Sequence, residues 1–448
     1  MKLKQKTTDE NGSRRPEGSG QSALLGRALS RRDVFVVLLV ALAARLIFML
    51  AMPPQVRSAD AHNWESVANA LDAGQNPYQT TSILNWPPFW LQFIFFISKI
   101  SVSFSISFFR VLQFFLSAVE SVVIILLIKL IREVAPAAHV RALVIIGLAL
   151  NPAAIFLICQ QCNFDVILAL WLMFFMLSLL RYNRTKDYAD WLCACLFLGL
   201  GILTKTVPLV LAPLLAGGFR GATTRLKFLG LALLLGPVAL GVSIIYVLAP
   251  ADVTTKVLEY RSISGCFGFS GLFHLAGADQ LMGLYNVIFY VLLFMVMVAS
   301  SILFWHRRSI GDRETVLFAA LLLVCIPVFG PGYNSEYLYW FMPFLVATFA
   351  FFKGKWRLVL TGFALITACT YLVEYAVLGS HGTFLLNILV YKMGNLHPPL
   401  WLLRPMAKCE SATGQTLIRL PLFVAYLALL AVGTGVLFRG IKNQSKAN

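Results

Sequence analysis

Val34–Met52 reads VFVVLLVALAARLIFMLAM and Phe114–Ile131 reads FFLSAVESVVIILLIKLI. Each run approaches the roughly 20 apolar residues that a helix needs to cross a bilayer. Similar runs recur along the 448 residues, of which 59% are hydrophobic and 13% charged, with a mean hydropathy of +0.78. A soluble chain is roughly 25% charged, so an ordinary soluble domain is excluded. The expected fold class is all-α, a polytopic transmembrane helical bundle. Its spans fall near 33–52, 108–130, 142–158, 165–181, 191–204, 206–219, 227–248, 283–304, 314–330, 337–352, 357–375 and 418–437. Twelve spans place both termini on one side. Pro87–Ile100 is left out of that count because about 14 residues are too few to cross.

Residues 1–32 are rich in Gly, Ser, Lys and Arg and lack the apolar run and small-residue cleavage site of a secretory signal, so they read as a disordered cytoplasmic tail. Residues 33–438 form a single transmembrane domain, and 439–448 a second cytoplasmic tail. The net charge of +17 would suggest a nucleic-acid partner in a soluble protein. Here the alternation of spans places eight cations in the first tail and three in each of six later cytoplasmic segments. That is 26 of 37 Lys and Arg inside, against ten outside, with Arg45 within a span. The asymmetry fits the preference of cations for cytoplasmic loops. The charge therefore reports topology, and no nucleic-acid partner is expected. A bacterial plasma membrane is the expected location, with the endoplasmic reticulum as the alternative. Three outer segments, 53–107, 249–282 and 376–417, are long enough to build a site.

The first of them is the richest. In AHNWESVANALDAG, Trp64, Val67, Ala68 and Leu71 fall at i, i+3, i+4 and i+7, the spacing of an amphipathic helix lying along the membrane surface. Gly74 can end that helix, and Gln75-Asn76-Pro77-Tyr78 reads as a turn. Asn85-Trp86-Pro87-Pro88 then opens a second interfacial helix with Phe89, Phe93 and Phe96 on one side. Asp60 sits just before the first of these helices, where an aspartate serves equally as an N-cap or as a base at the mouth of the bundle.

The order of these features resembles the multi-spanning glycosyltransferases of the GT-C superfamily, and most closely the bacterial polyprenyl-phosphate-mannose-dependent enzymes. The resemblance rests on Asp60 after the first span, Gly74-x-Asn76-Pro77-Tyr78 and Trp86-Pro87-Pro88. It continues through Asn151-Pro152 with Asn163-Phe164-Asp165, similar to NP…GQFD, and Gly201 to Lys205 with Pro208, similar to GxxxKxxP. Glu336-Tyr337 with Trp340 and Pro343 is similar to a QYxxWxxP helix start. It covers residues 33 to 350. Cys162-Asn163 stands where relatives often carry Gly-Gln.

The resemblance implies a GT-C-like fold and an enzyme that moves one hexose, mannose in the nearest branch, from a polyprenyl-phosphate donor to a lipid-linked or envelope glycan at the outer face. An inverting displacement needs a base for the acceptor hydroxyl, and Asp60 is the catalytic candidate. The lipid phosphate leaves as an anion and needs positive charge nearby, which assigns substrate contacts to Lys205, Arg261, Arg404 or His381. Asp165, Glu336, Tyr78 and Trp86 are placed with them. Asp60 is expected to face an outer cavity shared with Lys205 or Arg261. Asp165 and Glu336 also stand where a helix cap would, Lys205 falls at a tight outer hairpin before Pro208, and Arg261 stands where a solvated loop charge would. A flippase of lipid-linked glycans and a glycan ligase or polymerase are the alternatives. Outer-face charges and the absence of visible repeats favour the transferase over a transporter, whose sites lie near the midplane between repeats.

No cofactor is assigned. The histidines are scattered, no HExxH occurs, and a divalent metal is not indicated. Cys159-x-x-Cys162 alone is a weak signal, read as two small helix residues. Arg45 and Glu120 both lie within spans, and mutual pairing is the economical reading.

Overall fold

The computed structural model describes residues 31–51, 59–81, 84, 86, 88–136, 139–248, 265–306, 310–333, 335–351, 355–377 and 411–447. The described residues are helical and contain no β-strand. Among the described residues six segments are long and apolar enough to cross a membrane, carried by α1 (Arg31–Ala51), α5 (Phe108–Val134), α8 (Asp165–Thr185), α11 (Thr224–Leu248), α13 (Met282–His306, with the turn before it) and α17 (Ala412–Ala447), while α12 (Gly268–Leu275) is a short helix. A seventh arises if the bent pair Val140–Ala149 and Pro152–Gln161 is one span. Ile47, Leu50, Phe228, Val291 and Phe294 leave large apolar surfaces uncovered. Water-facing proteins rarely show contiguous patches of that kind, whereas lipid tails are as apolar as leucine. The protein is thus a multi-pass helical membrane protein.

Where they are described, the twelve expected spans fall mainly on helix, but 142–158 is broken at Leu150–Asn151 and several others fall short of a crossing by length or composition. Helix α9 (Tyr188–Thr204) has 17 residues and α15 (Leu338–Phe351) has 14. Pro208 and Pro213 hold Val207–Leu215 in a 3₁₀ helix before α10 (Ala216–Gly221), since proline cannot donate to an α-helical ladder. Helix α14 (Asp312–Phe329) opens on Asp312, Arg313 and Glu314, and α16 spans Lys355–Val377. The carboxy-terminal tail expected at 439–448 instead continues α17 to Ala447, and residues 1–30 lie outside the described residues.

The first loop folds as α2 (Ala59–Asp72), α3 (Pro77–Thr80) and α4 (Pro88–Phe104). Helix α2 ends where Gly74 takes φ +68, a conformation that glycine adopts without cost. Gln75 N–H reaches Ala70 O at 2.8 Å and Gly74 N–H reaches Leu71 O at 3.1 Å, the Schellman closure. Asn76 caps α3 by accepting Tyr78 N–H at 3.0 Å, with Pro77 in the first turn. The apolar face of α2 is as expected, but it is spent on protein rather than on lipid. Trp64, Val67 and Ala68 are buried, with Trp64 against Trp86 and Trp90. Helix α4 likewise buries Trp90, Leu91, Ile94 and Ile97, leaving Phe96 exposed.

The bent pair is the irregular centre of the bundle. Helix α6 (Val140–Val144) runs into a π-turn at Ile145–Ala149, and α7 (Pro152–Phe156) into another at Leu157–Gln161. The two halves meet at 51°. Asn151 caps α7 through Ala153 N–H at 2.9 Å with Pro152 at its first turn, so the Asn-Pro motif builds this break. Arg45 donates to two carbonyls of the first π-turn, Ala149 O and, at 3.3 Å, Leu148 O. The same guanidinium grips Glu120 in a bidentate pair at 2.7 and 2.6 Å, as the sequence reading expects. Tyr339 OH adds a hydrogen bond to Glu120 at 3.2 Å.

Candidate functional site

The second π-turn ends at Cys162, whose φ of 52 and ψ of 43 are left-handed. This is the position at which the resembling family often carries glycine, the residue best suited to that backbone. The reversal lets Asn163 Oδ1 accept Asp165 N–H at 3.1 Å. Asn163 thus closes a turn onto the first residue of α8, one position ahead of the N-cap Phe164, and the Asp165 carboxylate is left for another task. Cys159 and Cys162 remain thiols, both buried.

That task is Lys205. Continuing α9 past Lys205 would drive the Pro208 ring into the carbonyl four residues earlier, so the helix stops and Lys205 becomes extended. Its ammonium lies 3.1 and 3.3 Å from the two oxygens of Asp165, which is fully buried. Burial would push the ammonium down, but Asp165 and then Glu336 outweigh it and hold Lys205 above its ordinary value. Three rings surround the charge: Trp340 at 4.7 Å, Tyr337 at 5.2 Å and Phe164 at 5.9 Å. The cation expected at an outer hairpin is thus partly buried and paired.

Glu336 sits in a 3₁₀ turn at the mouth of α15 and is buried. Burial pushes its carboxyl well above the usual carboxylate range; Lys205 pulls it down, while Asp165 and Asp60 push it further up. Asp165, Lys205 and Glu336 therefore act on one another, and Asp60 joins them through Glu336, so four sequence-nominated residues meet in one cluster. Asp60 lies in the first turn of α2 and is half-buried. The start of α15 serves two charged groups at once. Tyr337 and Trp340 face Lys205, while Tyr339 turns to Glu120.

Trp86 is half-buried, its ring centroid 4.2 Å from Trp64 and 5.6 Å from Phe164. Tyr78 is fully buried and donates its hydroxyl to Trp86 O at 2.7 Å, which makes it a positioning residue for Trp86. Arg261, His381 and Arg404 lie outside the described residues. A cavity of about 200 Å³ opens beside α2, but its lining includes neither Asp60 nor Lys205. It is thus not the cavity expected to join those two residues.

Several site residues escaped the sequence reading. Trp64, Trp90 and Trp340 each bury an indole N–H that meets no acceptor among the described residues. Trp340 was visible within its motif, whereas Trp64 and Trp90 looked like helix packing. Arg419, counted only as an outer cation, is buried 5.2 Å from the Tyr333 ring and donates to Cys266 O at 3.3 Å. Tyr333 and Tyr337 lie 5.9 Å apart and link Arg419 to the Lys205 cluster. A lone arginine in the apolar stretch of α17 was the available signal. Among the described residues no group of three His, Cys, Asp or Glu side chains is placed to hold a metal ion. Comparison of the sequence with models of protein families and with curated proteins finds no match.

Proposed function

We propose that this protein is an integral-membrane glycosyltransferase that moves one hexose from a polyprenyl-phosphate donor to a lipid-linked or envelope glycan. The supporting observation is the gathering of Asp60, Asp165, Lys205 and Glu336, from four separate elements, beside a wall of aromatic rings. These residues carry the GT-C resemblance in the sequence, and a resemblance by chance gives no reason for them to converge.

In this reading Asp60 takes the proton from the acceptor hydroxyl as that oxygen attacks the anomeric carbon. The bond to the lipid phosphate breaks in the same displacement, with inversion. Lys205 keeps donor capacity beyond its contacts with Asp165 and meets the charge that develops on the departing phosphate. Asp165 keeps that ammonium charged and aimed. Glu336, with its raised affinity for a proton, lowers the negative charge that an arriving phosphate would meet. The site lies at the outer face of twelve spans in a bacterial plasma membrane with both termini cytoplasmic. Arg261, Arg404 and His381 belong to the outer segments of the same reading.

A flippase is the second reading, favoured by the broken helix pair with its two π-turns, because transporters build their sites on interrupted helices. Purified protein in proteoliposomes, given radiolabelled polyprenyl-phosphate mannose and crude lipid acceptors, separates the two. Label in a new glycolipid supports transfer. Label that changes leaflet while staying on the donor supports transport and refutes transfer.

A further inference from the structure

The cavity beside α2 has no place in the donor chemistry above, and its lining has a distinct character. Asn63, Ser66, Thr80 and Thr81 supply polar groups, Trp64 and Trp86 supply aromatic surface, and no charged side chain takes part. Its volume of about 200 Å³ is below the roughly 300–1,000 Å³ of sites for drug-sized ligands, a size for one small ring. Ser66 and Thr80 are exposed, so the cavity opens to the surface. Their hydroxyl protons go to backbone, Ser66 to His62 O at 3.0 Å and Thr80 to Asn76 O at 3.1 Å. Each oxygen therefore presents lone pairs to an incoming O–H, and the Asn63 amide can both donate and accept.

Oxygen acceptors, one amide and indole surface, without charge, match a neutral pyranose. Such a ring carries hydroxyl donors around its edge and a face of C–H groups that packs on an aromatic ring. We infer that this cavity binds a neutral hexopyranose, the terminal sugar of the acceptor. Asn63 and Trp64 follow Asp60 by three and four residues on α2, so the cavity begins about one helical turn, some 5 Å, from the candidate base. A hydroxyl of the seated sugar can project toward that carboxylate. A uronic acid is disfavoured, because its charge would approach Asp60 and Glu65 on the same helix. Only the word acceptor rests on the transferase reading; the pocket and the class of its ligand do not.

The test uses the full chain in lipid nanodiscs and saturation-transfer NMR with methyl α-mannopyranoside, methyl α-glucopyranoside and methyl glucuronide. Wild type and Asp60→Asn should bind at least one neutral glycoside and discriminate against the glucuronide. Ser66→Leu, which fills the cavity from an exposed position, should reduce that signal about tenfold, whereas Ser66→Ala should keep it. Thr80→Leu fills the cavity from the facing element and should give the same loss should Ser66→Leu fail to fold. Unchanged binding in both filled variants, or no neutral glycoside bound by wild type, overturns the pocket. Where transfer is measured, Ser66→Leu should raise the acceptor KM about tenfold with kcat little changed. Transfer with an unchanged acceptor KM refutes the pocket and leaves the transferase standing. Glycoside binding that the filled variants abolish, in a protein without transfer, keeps the pocket and refutes the transferase.

Discussion

The two ends of α8 handle charge in opposite ways. At its carboxy-terminal end Arg184 meets Asp312 at 2.6 Å and Glu133 at 3.4 Å, and Arg181 meets Asp190 at 3.3 Å. Close by in the fold, Arg141 and Arg132 share Asp33, at 2.5 and 3.4 Å. These arginines are at least partly exposed, and the surrounding pairs repeat one simple pattern of cation against acid. At its amino-terminal end a single paired lysine faces Asp165, Glu336 and Asp60, with Asp165 fully buried. Water reaches the arginines of the first set, though their acids are largely covered, and it weakens each pair. The second set gives up most of its water, so each charge there depends on its neighbours. A cluster of that kind is a poor device for stability and a suitable one for chemistry.

Breaking the buried set should have the largest effect. Lys205→Met leaves Asp165 buried and uncompensated, with an expected loss of about 3–5 kcal/mol. Adding Asp165→Leu should return most of that loss, because removing both charges also removes their desolvation. Thermal unfolding in detergent reads both variants, and a double variant no better than the single one would show that pairing is not what holds Lys205.

A pH series sharpens the comparison. The Glu336 carboxyl is raised in the folded protein, so the folded state binds its proton more tightly than the unfolded state does. Stability from this group is present at low pH. It declines as pH climbs from the unfolded carboxyl value, about 4.3, to the raised one. Glu336→Gln should remove that decline from the unfolding curve. A decline of equal size in the variant would assign it to another group.

The smallest effects belong to the exposed end. Arg184→Met should change stability by less than about 1 kcal/mol, and raising the salt should shrink even that difference. A loss as large as that of Lys205→Met would erase the distinction between the two ends.

Much of this was legible in the sequence. The helices follow from apolar runs and from punctuation at Gly74, Asn76-Pro77 and Pro208, each a local backbone rule, whereas the break at Asn151-Pro152 interrupts the single span expected over 142–158. The Arg45–Glu120 pair was readable because two opposite charges in neighbouring spans have few other partners. The pairing of Lys205 with Asp165 was not legible, since the sequence placed Lys205 at an outer hairpin beside Pro208 and nothing local joins it to a residue 40 positions earlier. Only the packing of α15 over α8 brings Trp340 and Tyr337 against it. The π-turns left no periodic signature, because one extra residue per turn looks like ordinary apolar sequence. Trp64 and Trp90 follow helix spacing, and nothing in that spacing shows that their indole N–H groups stay unsatisfied. The convergence of Asp60 with Glu336, 276 positions apart in the chain, is set by tertiary packing, and the motifs carried it only as an order of residues.

The central claim is that the cluster at the amino-terminal end of α8 serves transfer, with Asp60 as its base. Its most direct test is the initial rate of hexose transfer by Asp60→Asn against wild type, at matched thermal stability, with polyprenyl-phosphate hexose and a lipid acceptor. The account predicts a fall of about 10²- to 10⁴-fold, the usual contribution of a positioned base. Transfer at the wild-type rate by the folded variant would contradict it.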